Sequence, residues 1–255
     1  MAEDSELDLP ASIAASWGLR ERSGKGPKPG LSIDRIVRAA VAIAESDGLG
    51  AVSMSRVAAD LGASTMSLYR YVASKDELLM LMMDAPVAKP PESRPDEGWR
   101  AGLERWAREL RVVYLRHPWL VRVPISGPPI TPNQIMWMEA ALRALTGTPL
   151  EEGEKVSTVL LLSALVRSDV ALFADLQDAA RTGPYLQHLL RSYSRWLRTL
   201  TDEERFPAVR AAVDAGVFDE AENGVFVEPE EDYDFEFGLG RVLDGLDALM
   251  RSRSG

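Results

Sequence analysis

From Ile33 onward apolar residues recur at intervals of three and four, a period that predicts helices along almost the whole chain. Ile33, Ile36, Val37, Ala40, Val41, Ile43 and Ala44 line one face of a first helix, with Ser32 placed to cap it and Gly48 to end it. A second short helix opens at Ser53, turns Val57, Ala58 and Leu61 inward, and stops at Gly62. A third starts at Ser64, runs through Leu68 and ends near Val72. Ser74-Lys75-Asp76-Glu77 then forms a capping box: Ser74 accepts the Glu77 N–H while that carboxylate reaches back, ahead of Leu78, Leu79, Leu81 and Met82.

Pro86, Pro90, Pro91 and Pro95 interrupt the period and mark a junction. Beyond it helices are expected at about 96–116, 118–123, 132–146, 151–180, 184–200, 202–215 and 232–251, with a short hairpin or an irregular loop across 216–227 around Asn223-Gly224. Ahead of Ile33 there is no apolar period. An acidic start gives way to a stretch from Arg20 to Gly30 in which Gly and Pro alternate with cations, which reads as a flexible arm. The expected architecture is all-α: an arm over 1–31, basic from 20, a small helical unit over 32–85, and a larger helical body over 96–255.

Composition narrows the chemistry. The absence of cysteine excludes disulfides, thiolate metal sites and cysteine nucleophiles, and suits a reducing compartment. No uninterrupted apolar run reaches the roughly 18 residues of a membrane span, and residues 1–8 carry acids where a signal peptide carries bases, so a cytoplasmic protein with no membrane partner is expected. The net charge of −10 argues against nucleic acid only while it is averaged. Residues 20–75 hold nine bases and five acids, whereas 76–255 hold twenty bases and thirty acids.

The basic excess coincides with the stretch SMSRVAADLGASTMSLYRYV (53–72), which has the spacing of a helix-turn-helix: two short helices joined by a Gly-containing turn. The second helix turns Thr65, Met66, Ser67, Tyr69, Arg70 and Tyr71 outward, a set suited to phosphate oxygens and base edges; a plain helical hairpin with solvated polar residues is the alternative. The wider stretch, IVRAAVAIAESDGLGAVSMSRVAADLGASTMSLYRYVASKDELL, resembles the DNA-binding domain of TetR-family transcriptional repressors, down to the Gly-Ala-Ser turn, the Leu-Tyr pair and Lys75.

That resemblance implies a ligand-responsive homodimer reading a palindromic double-stranded DNA operator. Ser53 would touch phosphate with Ser55 and Arg56 near it. Thr65, Met66 and Arg70, beside Ser67, would lie at the bases or the nearby backbone, and Tyr69, Tyr71 and Lys75 would hold phosphates. Ser55 stands where a cation is common in the family, which leaves open which bases are read. Arg20, Arg22, Lys25 and Lys28 suit a minor groove, or else belong to a solubilising tail.

The body shows no catalytic signature, and neither a metal nor a cofactor is expected. Its aromatics and methionines read mostly as core. The resemblance adds a pocket for a hydrophobic or aromatic small-molecule effector, with Trp106, His117, Trp137, Met138 and Phe173 as candidates. Arg167 and Asp169 interrupt an apolar helix and need partners, within the chain, across a dimer or on a ligand. The last helix sets Leu239, Val242, Leu246 and Leu249 at helical spacing with Gly238, Gly240 and Gly245, a face for a dimer contact together with 151–176 or for packing within one chain. Glu228 to Asp234 reads as a solvated capping run. The expected function is a repressor released by its ligand; the alternative is an all-α enzyme or carrier with a helix-turn-helix-like start.

Overall fold

A computed structural model of the chain describes residues 9–19, 31–87, 89–94, 96–183, 185–219 and 233–253. Ile33–Asp47 (α2), Met54–Asp60 (α3), Thr65–Tyr69 (α4) and Lys75–Asp84 (α5) form the small N-terminal unit, preceded by Ala11–Ser16 (α1). Serines fix the starts of four of these helices. Ser32, Ser53, Ser64 and Ser74 accept the backbone N–H of Arg35, Arg56, Ser67 and Glu77, each cap contributing about 1 kcal/mol. Ile36, Ala40, Val52, Val57, Leu68, Val72 and Leu78 are fully buried between the helices. Gly62, at φ +63°, turns the chain between α3 and α4 in a conformation that costs any other residue strain.

The capping box differs from its expected form by one residue. The Glu77 carboxylate accepts the N–H of Ala73 at 2.6 Å, and its other oxygen accepts the Ser12 hydroxyl, so the carboxylate is buried and fully used. Ser12 belongs to α1, and the segment expected to be a featureless arm is therefore not uniform. Ile13 is wholly buried in the core, and the Trp17 indole donates to the Ile130 carbonyl at 2.8 Å. Residues 20–30, with the four expected arm cations, lie outside the described residues, between the anchored α1 and Leu31.

The body is built from Trp99–Arg116 (α6), a 3-10 turn over Pro118–Arg122, Pro132–Ala144 (α7), Glu152–Thr182 (α8), Tyr185–Leu200 (α9), Pro207–Asp214 (α10) and Tyr233–Arg253 (α11). The helix expected from Asp202 starts instead at Pro207, whose ring disfavours a helical conformation at the preceding Phe206. Residues 220–232, including most of the possible hairpin and the acidic run, lie outside the described residues. No strand occurs among those described.

α6, α7 and α8 enclose the body core, where the Trp106 indole donates to the Trp137 carbonyl at 2.9 Å and the two rings meet edge to face at 6.0 Å. The two charges in α8 find their partners inside the chain. Arg167 donates to the carbonyls of Leu120 at 3.3 Å and of Val121 and Val123 at 2.6 Å, closing the end of the 3-10 turn. Asp169 accepts from Arg111 at 2.6 Å, and Arg111 also lies over the Phe235 ring of α11. Burial pushes the Tyr114 phenol up, opposed by the Arg167 charge. By length and composition α8 is the one described helix apolar enough to cross a bilayer. Its exposed apolar residues, Val156, Leu160, Leu161 and Leu172, lie on the same helix as Arg167 and Asp169.

Candidate nucleic-acid interface

The helix-turn-helix holds its shape from within and leaves a chemically mixed surface outside. Leu68 alone of α4 is fully buried, which pins the helix by a single apolar anchor. Met66, Tyr69 and Arg70 then share the opposite face at helical spacing, with Met66 74% and Tyr69 45% exposed. A methionine this exposed gains nothing from the core, and beside Tyr69 and Arg70 it is free to meet a surface laid against α4. Arg70 at the end of α4 and Lys75 at the start of α5 are exposed, and neither is in an ion pair among the described residues.

The remaining expected contacts are more committed. Ser53 caps α3 while its hydroxyl also meets that of Ser55 at 3.1 Å, and the Ser67 and Ser64 hydroxyls meet at 2.8 Å. Exposed Arg56 pairs with Asp47 at 2.8 Å, a bond that must open before the guanidinium reaches a phosphate. Thr65 is half-buried. Tyr71, expected to face outward, is also half-buried and packs on the core. In the body, by contrast, Arg100, Arg105, Arg108, Arg122, Arg143 and Arg253 are all held by nearby carboxylates. The pairing lowers the local field of those six cations, whereas Arg70 and Lys75 remain available positive charge beside α4.

The joint between head and body was not legible in the sequence. Glu45, near the end of α2, accepts from the Trp119 indole at 2.8 Å and sits 2.6 Å from His117 Nδ1. His117, expected in the effector pocket, is thus placed at the joint: Pro118 cannot continue α6, and the chain turns toward the head there. Asp84, the last residue of α5, accepts the Gln134 N–H at 3.0 Å, while its carbonyl accepts from Asn133 at 2.9 Å, so the head caps the first turn of α7. Thr131, the N-cap residue of α7, is displaced from its usual role, and its buried Oγ1 has no partner among the described residues. Such an unpaired hydroxyl costs about 1–3 kcal/mol.

The other pocket candidates do not converge on one open cavity. Trp106 and Trp137 are core residues bonded to each other, whereas Met138 and Phe173 are half-buried. Two small clefts of about 40 Å³ each lie beside α5, at the joint. In α11, Leu239 is 1% exposed and belongs to the core of its own chain, so it has no surface to offer a partner, and Val242 and Leu246 are half-buried against that core. Leu249 remains accessible, as does Phe237, which the sequence reading passed over.

Residues 36–81 match the family model described as bacterial regulatory proteins, tetR family, and residues 90–250 match that of the tetracyclin repressor-like C-terminal domain. The chain is 39% identical over 252 residues to the HTH-type transcriptional repressor DrrR1 of Streptomyces coeruleorubidus, covering 97% of this chain and 89% of that one. Among solved structures it is similar to the TetR family protein ActR of Streptomyces coelicolor in complex with actinorhodin, at a TM-score of 0.68 and 27% identity over 88% of this chain and 98% of that one. The complex of ActR with (S)-DNPA gives a TM-score of 0.66 at 28% identity, over 86% and 98% of the two chains. The head with its exposed α4 and the helical body behind it are matched in turn by the two halves of one family, and this chain belongs to it: it is a DNA-binding transcriptional regulator of the TetR family.

Proposed function

We propose that the protein is a cytoplasmic homodimeric repressor whose two α4 helices enter successive major grooves of a palindromic operator, and which a small hydrophobic or aromatic molecule releases. The observation that carries this reading is the surface of α4: Met66, Tyr69 and Arg70 are exposed together, and neither Arg70 nor the neighbouring Lys75 is in an ion pair among the described residues, whereas most arginines of the body are. Met66 and Thr65 supply contacts to base edges, and Arg70 to a base or the nearby backbone. Ser53, Ser55, Tyr69 and Lys75 supply phosphate contacts, joined by Arg56 once it leaves Asp47. Family membership, rather than any missing catalytic group, sets aside the enzyme or carrier alternative.

For the effector, half-buried Met138 of α7 and Phe173 of α8 would line a pocket that opens when the ligand enters, with Trp106 and Trp137 in the core beside it. ActR is solved with actinorhodin, which supports a small-molecule effector here. For the dimer, Leu160 and Leu161 of α8 with Phe237 and Leu249 of α11 supply the free apolar surface. The test is fluorescence anisotropy with the promoter DNA flanking the gene. Arg70→Ala should weaken binding about 10- to 100-fold. Replacing Arg20, Arg22, Lys25 and Lys28 together by Gln should flatten the dependence of affinity on salt. If the wild-type protein ignores that DNA at low salt, the reading fails; an unchanged salt slope removes the basic stretch from the interface.

A further inference from the structure

We propose a second binding site, for a small neutral and mostly apolar molecule carrying one hydroxyl or carbonyl, in the cleft between α5 and the start of α7. It is distinct from the effector pocket between α6, α7 and α8. Met80 and Met83 of α5 form one wall, Ile125 and Ile130 the other, and Thr131 and Gln134 close the α7 end. An adjoining cleft shares Met80 and Met83 and extends the groove along α5 toward Asp76. Two flexible thioethers facing branched aliphatics make a wall that adapts to an irregular apolar guest.

The polar end of the site is already built. Thr131 lines the cleft and is 1% exposed, and its Oγ1 is the buried side-chain polar atom without a partner among the described residues. The reason is visible: Asp84 takes the Gln134 N–H that a threonine N-cap ordinarily takes. The hydroxyl is therefore left to give or accept one bond, and a guest with a single oxygen satisfies it. No cation lines either cleft, Asp76 carries a negative charge at one end, and the Asp84 carboxylate is occupied, so the chemistry favours a neutral guest over an anion. As it stands the cleft is small, about 40 Å³, so a guest enters only if the segment 124–130, which has no regular structure and is fastened at Ile130 by the Trp17 indole, moves outward.

A guest in this cleft bears on the place where the head caps α7, and it would alter the tilt of the head. That regulatory part rests on the repressor reading; the binding itself does not. The experiment uses the full-length protein labelled with 13C at its methionine methyls and titrated with cyclohexanol. Met80 and Met83 signals should shift saturably, and Thr131→Val should weaken cyclohexanol binding about fivefold while leaving methylcyclohexane, which lacks the hydroxyl, unaffected. Met80→Lys, a second variant on the wall, should abolish the shift at Met83. Operator affinity should fall with cyclohexanol in the wild type, and in Thr131→Val only at about fivefold higher cyclohexanol. Absent shifts at Met80 and Met83, equal cyclohexanol affinity in Thr131→Val, or shifts confined to Met138 would overturn the site. An operator affinity indifferent to cyclohexanol despite those shifts would overturn its regulatory role alone.

Discussion

At the scale of single residues, the chain's charges divide between those that build the body and those left for a partner. Arg167 is the clearest builder: one planar guanidinium gathers three carbonyls at the end of a 3-10 turn, two of them, Val121 and Val123, at 2.6 Å. Arg167→Met should lower stability by about 2–3 kcal/mol in chemical denaturation, and Arg167→Lys should not restore it, because a single ammonium cannot reproduce the fork. Full rescue by lysine would show that charge, not geometry, matters there. The sequence announced that Arg167 and Asp169 need partners, since charges in an apolar helix are costly to leave alone. It did not tell which, because Leu120, Val121, Val123 and Arg111 come from elements about 44 to 58 residues away, and such pairings follow from packing. Glu45 escaped notice for the same reason. An exposed acid near the end of a helix looks like solvation until Trp119 is placed beside it.

At the scale of elements, the reading head was legible nearly throughout, because caps, turns and helical period are local. Gly62 is the sharpest case. No atom lies within 4 Å of a Cβ built there, so Gly62→Ala should cost about 1 kcal/mol purely from the left-handed backbone, measurable as a lower unfolding midpoint. A neutral or stabilising substitution would mean that the turn adopts another conformation. The fastening of α11 was not legible. Arg108 holds Glu236 at 2.8 Å, Arg100 holds Asp244 at 2.8 Å, and Arg253 holds Glu154, tying α11 to α6 and α8. Hydrogen bonds from these arginines keep the three carboxyls below their usual range. Their contribution is therefore complete above the unfolded carboxylate range and is lost as pH falls through about 4 and below. Thermal melts should show a midpoint unaffected by these pairs between pH 6 and 8 and falling under about pH 4.3, with a shallower fall in Glu236→Gln. An equal fall in that variant would assign the acid sensitivity elsewhere.

At the scale of the whole molecule, apolar surface left over after folding shows where a second copy would sit. Leu160 of α8 at 70% exposure and Phe237 of α11 at 53% are large apolar side chains that belong to no core. Leu160→Arg and Phe237→Arg should each convert a dimer into a monomer in light scattering without loss of helicity, and should weaken operator binding because two half-sites are no longer held together. A dimer surviving both would move the interface elsewhere. Leu239→Ala should instead cost about 2–5 kcal/mol of stability, since that residue is core.

The sequence by itself determined the all-α class, the head with its caps and Gly62 turn, and the outward placement of Met66, Tyr69 and Arg70, because each depends on residues three or four apart. The family resemblance also rested on that contiguous stretch. Only the tertiary structure decided that α1 is packed into the core, that His117 belongs to the joint, that Leu239 is spent within its own chain, and that Asp84 leaves Thr131 without a partner. Helical period states which face of a helix is apolar, but not which neighbour covers it; that is settled only when all the faces compete for one another in the packed chain.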